Sequence, residues 1–166
     1  MELPKRKPTR LPDYDYSSPG SYFVTICTKD RRCILSDISV GADALGGPCL
    51  QLTDTGKVVD QYVLSMARMI GFRVDKYVVM PNHIHMILWI DSEAASPDSG
   101  PPRASAPTVS DAVGALKRLV NRRLGHDIWQ RSFHEHVIRN DNDYREIWQY
   151  IDANPAKWAE DRYYEQ

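Results

Sequence analysis

The chain has 166 residues, of which 42% are hydrophobic and 26% charged, and a formal net charge of -1. These values fit one globular domain (1–166) with a sizeable core, and they exclude a large multidomain enzyme, a disordered chain and a uniformly basic DNA-coating surface. Three cysteines, Cys27, Cys33 and Cys49, form no CxxC pair, so neither a disulfide framework nor a thiolate zinc site is expected, and a reducing cytosol fits best.

In chain order, residues 1–20 form a basic arm, with Lys5, Arg6, Lys7 and Arg10 set against the single acid Glu2 in the first ten positions. No apolar run here suits a signal peptide, and no segment of the chain is long and apolar enough for a membrane helix. After Pro19-Gly20, the β-branched and aromatic run SYFVTICT (21–28) predicts a strand. Shorter strands are expected at 33–38 and 49–52 as a hairpin around a glycine-rich loop, which lacks the order of a nucleotide P-loop. Thr53 is placed to cap a helix over about 53–70, closed by Gly71. Two apolar strands follow at 72–80 and 83–90, separated by Pro81-Asn82. Residues 91–107, rich in Ser, Ala and Pro, read as a flexible connector. Thr108 then caps a helix to about 124, with Asp111 at its third position and Gly125 at its end. A strand at 133–139 and a last helix capped by Asn140 complete the order. Two βαβ units and a final helix imply an α+β, ferredoxin-like antiparallel sheet with helices on one face.

The most informative stretch is VVMPNHIHMIL, 78–88. Residues two apart on a strand share a face, so His83 and His85 point the same way. Two imidazoles on one rigid strand can ligate a divalent cation, whereas burying them without partners costs stability. A pair is incomplete as a cation site and needs a third ligand. His134-Glu135-His136 repeats the alternation and offers either that partner or a rival site; its central charge places it on an edge strand, where both histidines can equally face DNA or solvent.

In the last helix, Tyr144, Ile147, Trp148 and Ile151 form the inward stripe. At about 100° per residue, Tyr150 and Asn154 lie about 40° apart on one border of that stripe, where a phenol and a carboxamide can reach the sheet. The carboxamide oxygen is a hard donor of the kind that magnesium or manganese accepts. From spacing alone, simple packing of Tyr150 and helix termination at Asn154-Pro155 remain open. A second basic cluster, Lys117, Arg118, Arg122 and Arg123, reads either as a phosphate-binding face or as a solvated helix surface.

The opening LPDYDYSSPGSYFVTICT, the His-hydrophobic-His stretch, and WQRSFHEHVIRN followed by WQYIDANP resemble, in this order, the REP-associated tyrosine transposases, relatives of the insertion-sequence-200-type transposases of the HUH superfamily. The resemblance covers most of the chain. It implies that His83 and His85 are the paired metal ligands, that Asn154 is the third, and that Tyr150 is the nucleophile. The implied activity is cleavage and strand transfer of single-stranded DNA beside a hairpin, through a 5'-phosphotyrosine, with Mg2+ or Mn2+. The basic arm is expected on the hairpin, as are the basic residues of the 108–124 helix. His136 matches a recurring histidine to which no role is assigned, and His134 likewise has none. The implied partners are single-stranded or hairpin DNA and no membrane, the implied state a monomer or homodimer, and the implied location the cytoplasm, near the nucleoid. Two alternatives compete: a hairpin-binding protein that does not cut, and a metal phosphodiesterase in which water attacks.

Overall fold

The computed structural model describes residues 18–40, 48–66, 71–91 and 108–164. Lys5, Arg6, Lys7 and Arg10, most of the glycine-rich loop and nearly all of the connector lie outside the described residues. Four antiparallel strands, β1 (Gly20–Cys27), β4 (Phe72–Val79), β5 (His83–Ile90) and β6 (His134–Ile138), pair in the order β4-β5-β1-β6. Between β1 and β4, strands β2 (Ser36–Val40) and β3 (Pro48–Leu52) form a separate hairpin. The helices are α1 (Asp54–Met66), α2 (Val109–Leu124) and α3 (Asp141–Ala153). Among the described residues, no helix is long and apolar enough to cross a membrane.

The capping chemistry read from the sequence sets these boundaries. Thr53 Oγ1 accepts the Gly56 N–H at 3.0 Å. Thr108 and Asp111 form a reciprocal capping box, and Asn140 Oδ1 accepts from the Asp143 N–H. Gly125 ends α2 with φ 79°, a conformation that glycine adopts at little cost.

Alternation along the strands divides the core between the two faces of the sheet. Tyr22, Val24 and Ile26 of β1, with Ile84, Met86 and Leu88 of β5, pack against Val59 and Val63 of α1 and Val113, Leu116 and Val120 of α2. Each such side chain contributes about 1.5–3 kcal/mol on burial, so this layer dominates stability. On the opposite face, Ile87 and Ile138 meet Ile147 and Ile151 of α3, with Phe23, Trp89, Tyr144 and Trp148 around them.

The ferredoxin-like α+β sheet is therefore as expected, and α1 and α2 share one face. The expectation of all helices on one face needs correction for α3, which covers the other. The reason is the apolar stripe on both sides of β5: Ile84, Met86 and Leu88 satisfy one layer, and Ile87 and Trp89, in line with the histidines, require a second cover.

Candidate active site and metal centre

The histidines stand on β5, where it pairs with β1: Cys27 opposite His83 and Thr25 opposite His85. Both rings point to the α3 face and are fully buried. Their outer partners orient the rings. Asn82 donates through Nδ2 to the carbonyls of Tyr163 at 2.7 Å and Arg31 at 3.2 Å, which turns its Oδ1 toward His83 Nδ1 at 2.8 Å. That oxygen can only accept, so His83 carries its proton on Nδ1. Thr25 Oγ1 lies 2.8 Å from His85 Nδ1, a hydrogen bond whose direction follows the tautomer of the ring.

The two Nε2 atoms face each other at 3.0 Å, within reach of a hydrogen bond from one ring to the other in the metal-free protein. Burial, the largest cause, depresses the pKa of both rings, and for His85 the neighbouring His83 adds to it. Both rings are thus held neutral, the form in which an imidazole nitrogen ligates a cation. Cis donors of an octahedral cation at about 2.1 Å stand about 3.0 Å apart, so the spacing suits such an ion.

Helix α3 delivers the remaining groups. The Tyr150 hydroxyl lies 3.4 Å from His85 Nε2 and 3.4 Å from Asp161 Oδ2. Its ring is 41% exposed and packs edge-on against Phe23, which also lies against His85. Burial raises the Tyr150 pKa and the Asp161 carboxylate raises it further, against an opposing contribution from Arg162. Asn154 ends the helix buried, at 2% exposure. Its Nδ2 donates to Asp161 Oδ2 at 2.8 Å, while its Oδ1 is buried without a hydrogen-bond partner. An unpartnered amide oxygen on a residue whose amide binds Asp161, with two imidazole nitrogens within ligand reach of that carboxylate, fits a cation site.

Asp161 is the group the sequence reading missed. Among the described residues, His83, His85 and Asp161 bring ligand atoms within 4.8 Å of one another. After Pro155 the chain turns back through a 3-10 segment (Pro155–Glu160), and Asp161 Oδ1 accepts the Tyr163 N–H at 2.7 Å. The available signal was the DRYY sequence seven residues beyond Asn154: an acid and a cation after a proline-enforced reversal. Asn82 and Thr25 were also passed over, the first as a turn residue and the second as a strand residue.

The other candidates lie elsewhere. His136 is exposed and bonds Asp143 in the first turn of α3 at 3.0 Å. His134 pairs with Thr25 in register and so shares a row of the sheet with His85, two strands away. Lys117 does not present its charge to solvent as a free phosphate binder: its Nζ donates to the carbonyls of Gln130, Arg131 and Ser132 at 2.7, 3.3 and 3.1 Å. Arg118, Arg122 and Arg123 are exposed on α2, in the layer opposite the histidines. Tyr144, another phenol on α3, donates to Asp75 at 3.0 Å near the start of the helix.

No family model matches the chain. An uncharacterised protein of Haemophilus influenzae is 30% identical over 174 residues, spanning 96% of this chain and 93% of that protein. The REP-associated tyrosine transposase of Escherichia coli is 30% identical over 147 residues, 86% of this chain and 70% of that protein. Among solved structures, a REP-associated tyrosine transposase bound to a REP hairpin matches with a TM-score of 0.62 and 25% identity, over 90% of this chain and 74% of that one. The helix-covered antiparallel sheet, the paired histidines with a tyrosine in reach, and this degree of identity over most of both sequences lead to one conclusion: the chain belongs to the REP-associated tyrosine transposase family.

Proposed function

We propose that the protein cleaves and rejoins single-stranded DNA beside a hairpin, with Tyr150 as nucleophile and a divalent cation, Mg2+ or Mn2+, at His83 and His85. The observation that carries this reading is the pair of Nε2 atoms 3.0 Å apart with a phenol 3.4 Å from one of them. Asp161 supplies an anionic ligand and Asn154 its buried carboxamide oxygen. When bound, the cation draws charge from the phosphate and stabilises the charge that develops on it.

The rest is done by the chain. Asn82 and Thr25 keep the imidazoles aimed, and burial keeps them neutral. Phe23 and the last turn of α3 fix the Tyr150 ring, leaving its hydroxyl at the site and part of the ring open to an incoming strand. The Tyr150 oxygen forms a bond to phosphorus as the bond to the 3' oxygen breaks. The phenol's proton passes to solvent and the departing 3' oxygen takes one up. The phosphodiester energy is kept in the 5'-phosphotyrosine, so rejoining needs no nucleotide cofactor. Hairpin recognition by the basic arm at Lys5, Arg6, Lys7 and Arg10 is part of the same proposal. It draws support from the hairpin carried by the related solved structure.

The test is a labelled hairpin with single-stranded flanks, incubated with protein and Mg2+. Cleavage with a covalent protein–DNA adduct supports the tyrosine route; cleavage without an adduct supports attack by water, and binding without cleavage a recognition protein.

A further inference from the structure

Tyr163 is a buried phenol whose ring centre lies 4.7 Å from that of His83 and 5.9 Å from that of His85. Two guanidinium groups accompany it: the Cζ of Arg162 is 4.6 Å from the ring centre and that of Arg31 is 5.6 Å from it. Arg162 also donates to the Tyr163 hydroxyl. The two arginines reach this ring from distant parts of the chain, and each is tied to the cation site through its own backbone. Arg31 lies in the turn after β1, where Asp30 and Arg31 have φ of 54° and 52°, and its carbonyl accepts from the Asn82 amide that orients His83. Arg162 directly follows Asp161, which stands within ligand distance of both histidines.

Stacking on one ring does not use up the Arg162 cation. Arg162 is exposed and forms no ion pair with an acid among the described residues. A guanidinium carries five N–H donors in a planar fork, and phosphate oxygens match that fork in pairs. The charge balance points the same way. A divalent ion with one carboxylate ligand carries a net charge of about +1, whereas a phosphodiester under attack by a phenolate carries about -2, so one further cation is needed at the phosphate.

We propose that Arg162, seconded by Arg31, is a phosphate grip that holds the non-bridging oxygens of the phosphodiester attacked by Tyr150. This rests on the nuclease reading above and adds to it two phosphate-binding residues. The purely structural alternative is that both arginines only brace Tyr163.

The experiment loads the full-length protein with Mn2+ and titrates it with thymidylyl-thymidine, a dinucleotide with a single phosphodiester. The readouts are Mn2+ affinity by electron paramagnetic resonance and the relaxation of the dinucleotide phosphorus signal. The wild type is expected to enhance that relaxation saturably. Arg162→Gln should weaken dinucleotide binding about tenfold or more at unchanged Mn2+ affinity, Arg31→Gln should weaken it less, and Arg162→Lys should fall between wild type and Arg162→Gln. The conservative lysine variant also guards against misfolding as an explanation. Enhancement that is equal in Arg162→Gln, or absent in a wild type that has bound Mn2+, overturns the grip and leaves the nuclease reading standing. A wild type that binds no Mn2+ overturns the nuclease reading, and the grip with it.

Discussion

The chemistry of the site depends on how two imidazoles are held. Because Asn82 and Thr25 bond the two Nδ1 atoms, the Nε2 atoms of His83 and His85 turn toward a common point. Removing either bond lets a ring rotate. Asn82→Ala and Thr25→Val are each expected to weaken Mn2+ binding about 10- to 100-fold, as losses of outer partners commonly do; calorimetric titration reads this, and wild-type affinity would show that the rings need no such support. The same burial has a consequence for stability in the metal-free protein. Both histidines are depressed below 6.5, so between that value and their folded values the unfolded chain binds more protons than the native one. The stabilising contribution is complete above about pH 6.5 and is lost as pH falls through the window below it. Thermal melts from pH 7.5 to 5 should show a falling Tm, with a shallower fall in His85→Gln; parallel curves would contradict the assignment of this loss to His85. The histidine pair was legible in the sequence because strand alternation alone puts i and i+2 on one side. Asp161 was not, since its position follows from a chain reversal after Pro155 that no periodicity encodes.

Among the elements, α3 decides which phenol meets the histidines, and so which one the proposed mechanism uses. Tyr150 and Tyr144 are six residues apart, about 9 Å of helix rise. The Tyr144 hydroxyl is bonded to Asp75 near the start of the helix, while Tyr150 reaches His85. Tyr144→Phe should therefore retain cleavage and cost about 0.5–1.5 kcal/mol of stability for a lost hydrogen bond. Loss of cleavage with the fold intact would move the nucleophile. Helix α1 is seated by a different kind of contact. A Cβ on Gly56 would come within 1.8 Å of the Leu35 carbonyl oxygen, and Thr53 Oγ1 donates to the Ile34 and Leu35 carbonyls. Gly56→Ala should thus destabilise by about 1–3 kcal/mol or more through overpacking, read from urea unfolding; a neutral result would mean that the helix slides at no cost. Caps and apolar periods announced α1, α2 and α3 in the sequence. What they did not announce was the face that α3 takes, because both sides of β5 are apolar and only packing in three dimensions assigns each helix its side.

At the scale of the molecule, the two faces of the sheet divide the labour. The α1–α2 side holds most of the core. The α3 side holds the histidines, the phenol and the C-terminal segment that brings Asp161, Arg162 and Tyr163. Lys117 serves the fold by binding three carbonyls ahead of β6, and Arg118, Arg122 and Arg123 face away from the chemistry. Hairpin binding is accordingly assigned first to the basic arm. Deleting residues 1–10 should weaken hairpin affinity and flatten its salt dependence without changing the Tm; unchanged affinity would remove the arm from recognition. The most direct test of the central claim is to trap the covalent product. A hairpin labelled on the 3' side of the cleavage point, treated with protein and Mg2+ and run under denaturing conditions, should give an adduct whose mass maps to Tyr150. That adduct should disappear in Tyr150→Phe, while hairpin binding persists. An adduct mapping to another tyrosine, or cleavage that persists in Tyr150→Phe, would contradict the meeting of Tyr150 with His83 and His85 as the catalytic centre.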